Sequence, residues 1–495
     1  MQLGKQIIII FILTILTGIF SYSTRIILAN NLSVFDYGLF FGTFSLVFFF
    51  GFLRDFGLVE ACVFYINKSL SEKKIYKIKS YLAYSLIFQM LFGILIALIL
   101  NVLSPYLAMN YYKTEKSQLL IFLFSIFFVF DAIFSLVNWG YTSLGRVDIS
   151  YLFQFFKFLN IFAFTLLFLK FNRNLNFAAF GYVLGALINI FLAGMYFVLK
   201  YKKLLSEKIE KNFTYLKELF GYGIQVMISS LGSIFLINTD ILVLTWLRGN
   251  EDVGYYNIAI PIFTILTTFI SPIFSFVVSF VAEKFHSKNF KSIERVLSLL
   301  YNYSLLVSLP LTILFASFPE LIINTLFGEK YLPAKYTLTL FSMSLWFYTL
   351  RDVNFATMVG IGKVKERSKV LLISGIVNLI LDIVLVALFG KEGAAFATFL
   401  CTFLMFYLAY LILRREFSFK LDIAIQMRII LCSIFFYFSI ILFRKIIEIS
   451  PLLEAIIVTL LSTIIYLLLL IVTKVINKER IAFLIKIMQI KFEKI

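Results

Sequence analysis

The sequence predicts an all-α polytopic membrane protein with about fourteen transmembrane helices. Hydrophobic residues make up 61% of the chain and charged residues only 15%, whereas a soluble globular protein carries about 25% charged residues. Apolar runs of about 20 residues, each long enough to cross a bilayer as a helix, recur along the whole chain. Lysine and arginine fall mostly in alternate loops between these runs, which is typical of oriented membrane helices.

The apolar runs define the helices in chain order. The first run, residues 7–29, is longer than the apolar core of a secretory signal and lacks a small-residue cleavage site, so we expect it to be the first span. The predicted helices cover residues 6–29, 36–61, 81–103, 118–140, 149–171, 175–199, 220–247, 255–282, 296–318, 335–360, 368–389, 392–413, 424–443 and 452–473.

The basic residues orient these helices. With the N-terminus in the cytoplasm, and with the basic residues near the helix ends counted in the adjoining loops, 31 of the 45 Lys and Arg residues lie in cytoplasmic segments and 10 lie in the opposite loops. This bias predicts a multi-pass protein of the cytoplasmic (plasma) membrane with both termini in the cytoplasm. The same distribution explains the net charge of +18 without a nucleic-acid partner.

The cysteines and the histidine point to no disulfide framework, metal site or cofactor. Cys62, Cys401 and Cys432 are isolated in apolar segments. His286 lies in a polar loop with no metal-binding motif nearby. The predicted outer loops are all short, which argues against a membrane glycosyltransferase or polymerase, because such enzymes generally carry a large outer catalytic loop. We therefore expect no catalytic residues.

An internal repeat organises the helices. Asn138 and Asn354 begin two similar stretches, NWGYTSLGRVDIS and NFATMVGIGKVKE, that lie 216 positions apart. The same offset relates the glycine of VFDYGLF, Gly38, to the glycine of NEDVGYYN, Gly254. Helices 1–6 and 7–12 are therefore predicted to be two copies of one unit. Because six is even, both copies enter the membrane in the same orientation, and substrate sites in such transporters lie between the halves.

The repeat also predicts the domain boundaries. Helices 13 and 14 stand outside it, and the tail that follows them is basic and weakly amphipathic, as in segments that lie on a membrane surface. The predicted domains are an N-lobe at 1–199, a basic cytoplasmic linker at 200–219, a C-lobe at 220–414, two extra helices at 415–473 and a basic cytoplasmic tail at 474–495.

Several short stretches carry a family resemblance. The segments NLSVFDYGLF, VGYYNIAIPI, LFGEKYLPA and GKEGAAFATF resemble signatures of polysaccharide-export or O-antigen-type (Wzx-like) flippases. That family belongs to the multidrug/oligosaccharidyl-lipid/polysaccharide (MOP) superfamily, with the lipid II flippases and the drug-exporting MATE proteins. The resemblance implies two pseudo-symmetric six-helix lobes in a MATE-like V around a central cavity. It also implies movement of polyprenyl-linked oligosaccharides from the cytoplasmic leaflet to the outer one.

Charged residues inside the predicted spans are the candidate site residues. A charged side chain at the centre of an inserted helix costs about 2.5–3.5 kcal/mol. These residues are therefore expected to pair, to extend to the interface or to line a water-filled cavity. They are Arg25, Arg54, Asp55, Asp131, Lys157, Asp240, Arg351, Asp352 and Asp382.

The arginines are the candidates for phosphate binding, because the planar guanidinium group binds oxyanions through two parallel hydrogen bonds. We predict that Arg25, Arg54 and Arg351 bind the substrate phosphate or pyrophosphate, with Asp240 as a competing partner of Arg25 across the cavity. Lipid II flippases resemble this arrangement in having cavity arginines on helices 1 and 2. The alternatives are static ion pairs between helices, or an Arg25 side chain that extends to the membrane surface.

The remaining charges are predicted to serve ion coupling or charge pairing. Asp131, Asp240 and Asp382 fit either role, because intramembrane carboxylates often relay ions or protons. Lys157 is expected to neutralise Asp131. Asp55 and Asp352 belong to the same group. Each follows an arginine and so points about 100° away from it on a helix.

Two transporter functions follow. The first is a flippase that binds a polyprenyl-(pyro)phosphate-linked oligosaccharide and works by alternating access in the lipid bilayer, with no cofactor and with an H⁺ or Na⁺ gradient as a candidate energy source. Polysaccharide polymerase or ligase machinery is a candidate protein partner. The alternative is a MATE-type, cation-coupled exporter of organic cations, whose cavity should be net acidic. A membrane glycosyltransferase or polymerase is less favoured.

Overall fold

The computed structural model describes residues 2–447 and 449–476, and these contain helices but no strand. The helices are labelled in chain order. They are α1 (Gln2–Asn31), α2 (Val34–Phe49), α3 (Gly51–Asp55), α4 (Leu58–Ser71), α5 (Ile75–Asn110), α6 (Lys116–Ser143), α7 (Val147–Phe171), α8 (Leu175–Lys200), α9 (Lys202–Ser206), α10 (Phe213–Leu247), α11 (Asn250–His286), α12 (Phe290–Ser317), α13 (Pro319–Phe327), α14 (Lys335–Met343), α15 (Leu345–Gly360), α16 (Val364–Arg414), α17 (Ile423–Ile446) and α18 (Pro451–Val472), with a 3-10 helix at Glu329–Ala334.

Most of these helices are long and apolar enough to cross a membrane. Within the part of the chain that the structure describes, eleven helices meet that requirement. The number rises to twelve if α11, which bends by 45° between Asn250–Thr268 and Ile273–His286, is one span. The predicted all-α polytopic fold is therefore confirmed, whereas the predicted count of fourteen is not.

Two helix boundaries bear on that count. The 51 residues of α16 are interrupted at Gly390, whose φ of 60° and ψ of −135° are not helical. The 9-residue α14 and the 16-residue α15 meet at Ser344, inside the range predicted as the tenth helix. Neither reaches the roughly 20 residues that a single span requires.

The described chain forms two compact units. The first extends to Asn257 and also includes Leu379–Lys391, and the second consists of Ile258–Asn378 and the described residues from Glu392 onward. The lobe and linker boundaries inferred from the repeat stay predictions. Residues 477–495 of the predicted tail lie outside the described part of the chain.

Aromatic and small side chains pack the first unit. Tyr141 on α6 is fully buried, stacks on Phe153 of α7 and donates a 2.7 Å hydrogen bond to the carbonyl oxygen of Ala193 on α8. Gly181 of α8 lies directly against α7, because a Cβ there would be 2.6 Å from the Cα of Thr165. Small residues permit such close helix approach in a bilayer, where packing rather than water exclusion drives association.

In the second unit, the two C-terminal helices pack together and against α12. Ile429 and Phe436 of α17 are buried with Val458 and Leu470 of α18, and Leu305 of α12 joins the same cluster. The Tyr466 hydroxyl donates a 3.1 Å hydrogen bond to the carbonyl oxygen of Leu306. Helices outside the predicted repeat are thus integral to the packing of this unit.

Candidate functional site

The second predicted span is broken beside its two charged residues. The sequence predicts one helix over 36–61, but α3 is a single turn that ends at Asp55, and the next two residues are left-handed. Phe56 has a φ of 45° and Gly57 a φ of 68°, so the α-helical hydrogen-bond ladder cannot continue. The carboxylate of Asp55 accepts a 3.2 Å hydrogen bond from the amide of Val59 and thereby caps the first turn of α4. Arg54 and Asp55 therefore lie at the end of a helix and not in the middle of one.

Glycine is required at this break for two reasons. Gly57 adopts a left-handed conformation that other residues rarely take. A Cβ on Gly57 would also lie 2.3 Å from the carbonyl oxygen of Gly223 on α10. From the other side, a Cβ on Gly223 would lie 2.6 Å from the carbonyl oxygen of Phe56. The two backbones therefore touch at this point, and α10 forms the facing wall of the site.

A cavity of about 250 Å³ lies between α10 and the segment that contains the break. Its polar and charged lining residues are Arg54, Asp55, Glu60, Ser230 and Asn238, and Phe48 and Phe52 add aromatic surface. Pockets for drug-sized ligands measure about 300–1,000 Å³. This cavity is therefore smaller than such pockets and suits a small polar group.

Arg54 is the basic residue of the cavity lining. Its side chain is only 9% exposed, and its stem passes Gly93 of α5, where a Cβ would be 3.5 Å from Cγ and Cδ of Arg54. Nη1 donates a 2.5 Å hydrogen bond to the carbonyl oxygen of Phe128 on α6, and the guanidinium carbon lies 4.4 Å from the centroid of that phenyl ring. These contacts with α5 and α6 position the cation and leave it at the cavity wall.

Asp131 on α6 carries the negative charge opposite Arg54. Its Oδ2 is 3.5 Å from Nη2 of Arg54, and its Oδ1 accepts a 2.6 Å hydrogen bond from Nζ of Lys157 on α7. The structure thus brings together the Lys157–Asp131 pair that the sequence suggested and adds Arg54 to it. Two cations share one carboxylate, and the cluster has one positive charge in excess.

Arg25 is placed differently from Arg54. It is half-buried on α1, and its guanidinium carbon lies 4.3 Å from the centroid of the Phe41 ring. Among the described residues, its buried Nη1 has no hydrogen-bond partner. Asp240, the proposed competing partner, instead accepts a hydrogen bond from the hydroxyl of Tyr256. The phosphate-binding role of Arg25 stays a prediction.

Asp382 of α16 lies next to the turn of α10 that contains Asp240. Its Oδ2 accepts a 3.2 Å hydrogen bond from Oγ1 of Thr239, the residue before Asp240, and both carboxylates are buried. Within residues 2–447 and 449–476, no three His, Cys, Asp or Glu residues are grouped to hold a metal ion. The ion-coupling role of these two aspartates stays a prediction.

The second unit contains its own half-buried charged residues. Arg351 on α15 donates a 2.7 Å hydrogen bond through Nε to Oδ1 of Asp352, so these neighbours pair despite their sequence adjacency. The guanidinium carbon of Arg351 lies 4.0 Å from the centroid of the Tyr348 ring. Arg367 of α16, which the sequence analysis did not select, packs on Phe355 with its guanidinium carbon 5.4 Å from the ring centroid.

Sequence reasoning missed the polar residues that α10 contributes to the cavity. Ser230 and Asn238 alternate with Val226 and Ile234 at intervals of four residues, which places all four on one face of a helix. A stripe of this kind in an apolar helix is a detectable signal. Arg54 can bind an oxyanion, while Ser230, Asn238 and the carboxylates can bind hydroxyl groups.

Two family models match the chain. The model of the family described as polysaccharide biosynthesis protein matches residues 3–279, and the MatE family model matches residues 226–384. The first covers more than half of the chain.

Two curated relatives are similar to the chain in sequence. An uncharacterized membrane protein of Methanocaldococcus jannaschii is 29% identical over 399 residues, which cover 78% of each chain. A probable low-salt glycan biosynthesis flippase of Haloferax volcanii is 25% identical over 215 residues, which cover 43% of this chain and 46% of the relative.

Solved structures share the fold. A lipid II flippase MurJ in an inward closed conformation superposes with a TM-score of 0.76 at 17% identity, covering 93% of this chain and 98% of its own. An inward-facing multidrug resistance MATE family transporter of the MOP superfamily superposes with a TM-score of 0.68 at 13% identity, covering 81% and 94%.

Proposed function

The chain belongs to the polysaccharide biosynthesis protein family within the MOP superfamily of flippases and transporters, and from this membership we propose that it flips polyprenyl-linked oligosaccharides across the cytoplasmic membrane. The substrate would carry a phosphate or pyrophosphate between the lipid and the sugar. The H. volcanii relative, a probable glycan biosynthesis flippase, supports this class of substrate. The predicted cytoplasmic location of both termini is part of the proposal.

The observation that carries the proposal is the buried arginine at the polar cavity. Arg54 belongs to a cluster with one positive charge in excess, and it lines a cavity inside a membrane-spanning unit. Keeping such a charge in a bilayer is costly, so a function that uses it is expected. A phosphate group that cannot cross hydrocarbon unaided would find a charged, hydrogen-bonding site here.

The other lining residues suit a sugar. Asp55, Glu60 and Asn238 offer oxygens and an amide that can bind hydroxyl groups, and the rings of Phe48 and Phe52 supply apolar surface for a sugar face. The polyprenyl tail would stay in the lipid while the headgroup enters the cavity. The step requires no covalent chemistry, so we infer a transporter that alternates access rather than an enzyme.

A MATE-type exporter of organic cations is the second candidate. Two carboxylates, Asp55 and Glu60, line the cavity, and the side chain of Arg54 is engaged with Asp131. A cationic substrate could bind these carboxylates. The match of the MatE model to residues 226–384 favours the same alternative.

Reconstitution distinguishes the two functions. Purified protein in liposomes is given a fluorescent polyprenyl-pyrophosphate oligosaccharide, and its movement between leaflets is followed for wild type, Arg54→Ala and a control, Arg428→Ala, which removes an exposed arginine of α17. Losing a charge-assisted hydrogen bond costs about 1.5–3 kcal/mol, so Arg54→Ala should slow flipping by roughly tenfold or more. The control should match wild type.

The outcomes separate cleanly. Flipping that Arg54→Ala slows and Arg428→Ala does not would support both the substrate class and the site. Flipping at equal rates in all three proteins would keep the function and reject Arg54. Absence of flipping together with export of organic cations driven by an ion gradient would replace the proposal with the MATE-type function.

A further inference from the structure

Two cations compete for one carboxylate in the first unit, and they do so unequally. Nζ of Lys157 is 2.6 Å from Oδ1 of Asp131, whereas Nη2 of Arg54 is 3.5 Å from Oδ2. The shorter contact is a hydrogen-bonded ion pair, and the longer one exceeds the usual hydrogen-bond range. Lys157 is therefore the tight partner of Asp131, and Arg54 is the loose one.

Aromatic rings help to hold Lys157 in place. Its ammonium nitrogen lies 4.9 Å from the centroid of the Phe134 ring and 5.6 Å from that of Phe127. Such cation–π contacts stabilise an ammonium group that has little access to water. Lys157 is only 17% exposed and Asp131 only 12%, so their pair is protected from solvent screening.

The side chain of Arg54 is less completely satisfied. Its Nη1 donates to the carbonyl oxygen of Phe128, but its Nε is buried with no hydrogen-bond partner among the described residues. Arg54 lines the cavity, whereas neither Lys157 nor Asp131 is among its lining residues. A ligand in the cavity can thus reach Arg54 while the Lys157–Asp131 pair stays behind it.

We propose that Lys157 is a positioning residue that holds Asp131 and so leaves Arg54 able to exchange this carboxylate for a phosphate or pyrophosphate in the cavity. The inference rests on the proposed function, because it describes how that site accepts its ligand. When Arg54 turns to an oxyanion, Asp131 keeps a cationic partner. Without Lys157, the same movement would leave a buried carboxylate uncompensated, which is strongly unfavourable.

The net charge of the cluster distinguishes an electrostatic role of Lys157 from a role in packing alone. The wild-type cluster has a net charge of +1, Lys157→Met lowers it to zero, and the double variant Asp131→Asn/Lys157→Met restores +1 with Arg54 as the cation. Lys157→Arg keeps both the charge and the pair. If surplus charge at Arg54 governs binding, the double variant should behave like wild type although it has lost the Lys157–Asp131 ion pair.

The probe is farnesyl pyrophosphate, a short prenyl pyrophosphate, titrated calorimetrically into full-length protein in lipid nanodiscs. We expect Lys157→Met to weaken binding by roughly tenfold or more, because Arg54 must then abandon an otherwise unpaired carboxylate. The double variant and Lys157→Arg should bind within about threefold of wild type. Melting temperatures in detergent report whether each variant folds.

Each result decides something. If wild type binds the probe and Lys157→Met binds it with the same affinity, this inference is overturned and the proposed function stands. If wild type binds the probe but the folded double variant binds it much more weakly, the inference is also overturned. This comparison does not need the single variant Lys157→Met to fold. Absence of saturable binding by wild type overturns the proposed function and this inference together. Weak binding by Lys157→Met with recovery in the double variant supports it.

Discussion

Replacing Gly57 with alanine tests whether the break beside Arg54 depends on glycine. Two costs are expected at this position. A left-handed conformation costs an L-residue about 1–2 kcal/mol, and Gly57 has a φ of 68°. The added Cβ would also lie 2.3 Å from the carbonyl oxygen of Gly223, and overpacking against an immobile group typically costs about 1–3 kcal/mol. The sum is a destabilisation of roughly 2–5 kcal/mol.

The chain offers glycines that separate these two costs. Gly145 has a φ of 75° but open space where a Cβ would go, so Gly145→Ala should show the conformational cost alone. Gly223 is helical but would meet the carbonyl oxygen of Phe56 at 2.6 Å, so Gly223→Ala should show the steric cost alone. Gly194 is helical with open space, so its replacement should be neutral or stabilising by up to about 1 kcal/mol.

The assay is the thermal unfolding of the purified variants in detergent, followed by intrinsic fluorescence, together with liposome flipping. We expect Gly57→Ala to have the lowest melting temperature of the four variants, with Gly145→Ala and Gly223→Ala intermediate. Flipping should suffer most in Gly57→Ala and Gly223→Ala, because both displace a cavity wall. A Gly57→Ala protein no less stable than Gly145→Ala would refute the close approach of α4 to α10.

Three further predictions test the partners of single side chains and the orientation. Asn354→Ala should destabilise by about 1–3 kcal/mol, because the buried hydroxyl of Tyr301 loses its 2.6 Å acceptor. The matching asparagine of the predicted repeat gives the control: Asn138→Ala should stay within about 0.5 kcal/mol in the same melting assay, because the buried Oδ1 of Asn138 has no partner among the described residues. Asp131→Asn alone should lower stability by about 3–5 kcal/mol, since the buried Arg54 and the half-buried Lys157 then lose this counter-ion; its melting temperature measures this. A cysteine at the exposed position Arg173 should react in intact cells with a membrane-impermeant maleimide, and one at exposed Lys208 should not.

Each of these has a contradicting result. Equal losses of stability in the two asparagine variants would mean that the repeats share their hydrogen bonds after all. An Asp131→Asn protein as stable as wild type would mean that water screens the cluster. Labelling only at position 208 would invert the predicted orientation. The native cysteines, all buried, supply the unlabelled background.

Much of the fold was predictable because hydrophobicity acts locally. A run such as residues 175–199 is apolar enough to span a bilayer by itself, and in the structure α8 covers Leu175–Lys200. The ends were less predictable. The third helix was predicted at 81–103, but α5 covers Ile75–Asn110. The apolar run marks only the part of a helix that crosses the lipid, and the helix continues beyond it through polar residues.

Pairing was only partly predictable. Lys157 and Asp131 could be matched because each needed an opposite charge in an apolar environment. Arg351 and Asp352 were expected to diverge by their helical spacing, yet long flexible side chains bring them to 2.7 Å. The third member of the first cluster, Arg54, reaches Asp131 only because α3 packs beside Gly93 of α5, and no sequence pattern records that proximity.

By itself, the sequence determined that this chain is a helical, multi-pass membrane protein, because the energy of burying a residue in lipid depends on the residue and its neighbours in the chain. It also marked which charges needed a partner. Only the tertiary structure decided where those charges meet and where the second span breaks. Close approaches such as that of Gly57 to Gly223 depend on backbones far apart in sequence, so the cavity beside Arg54 exists only once the helices have packed.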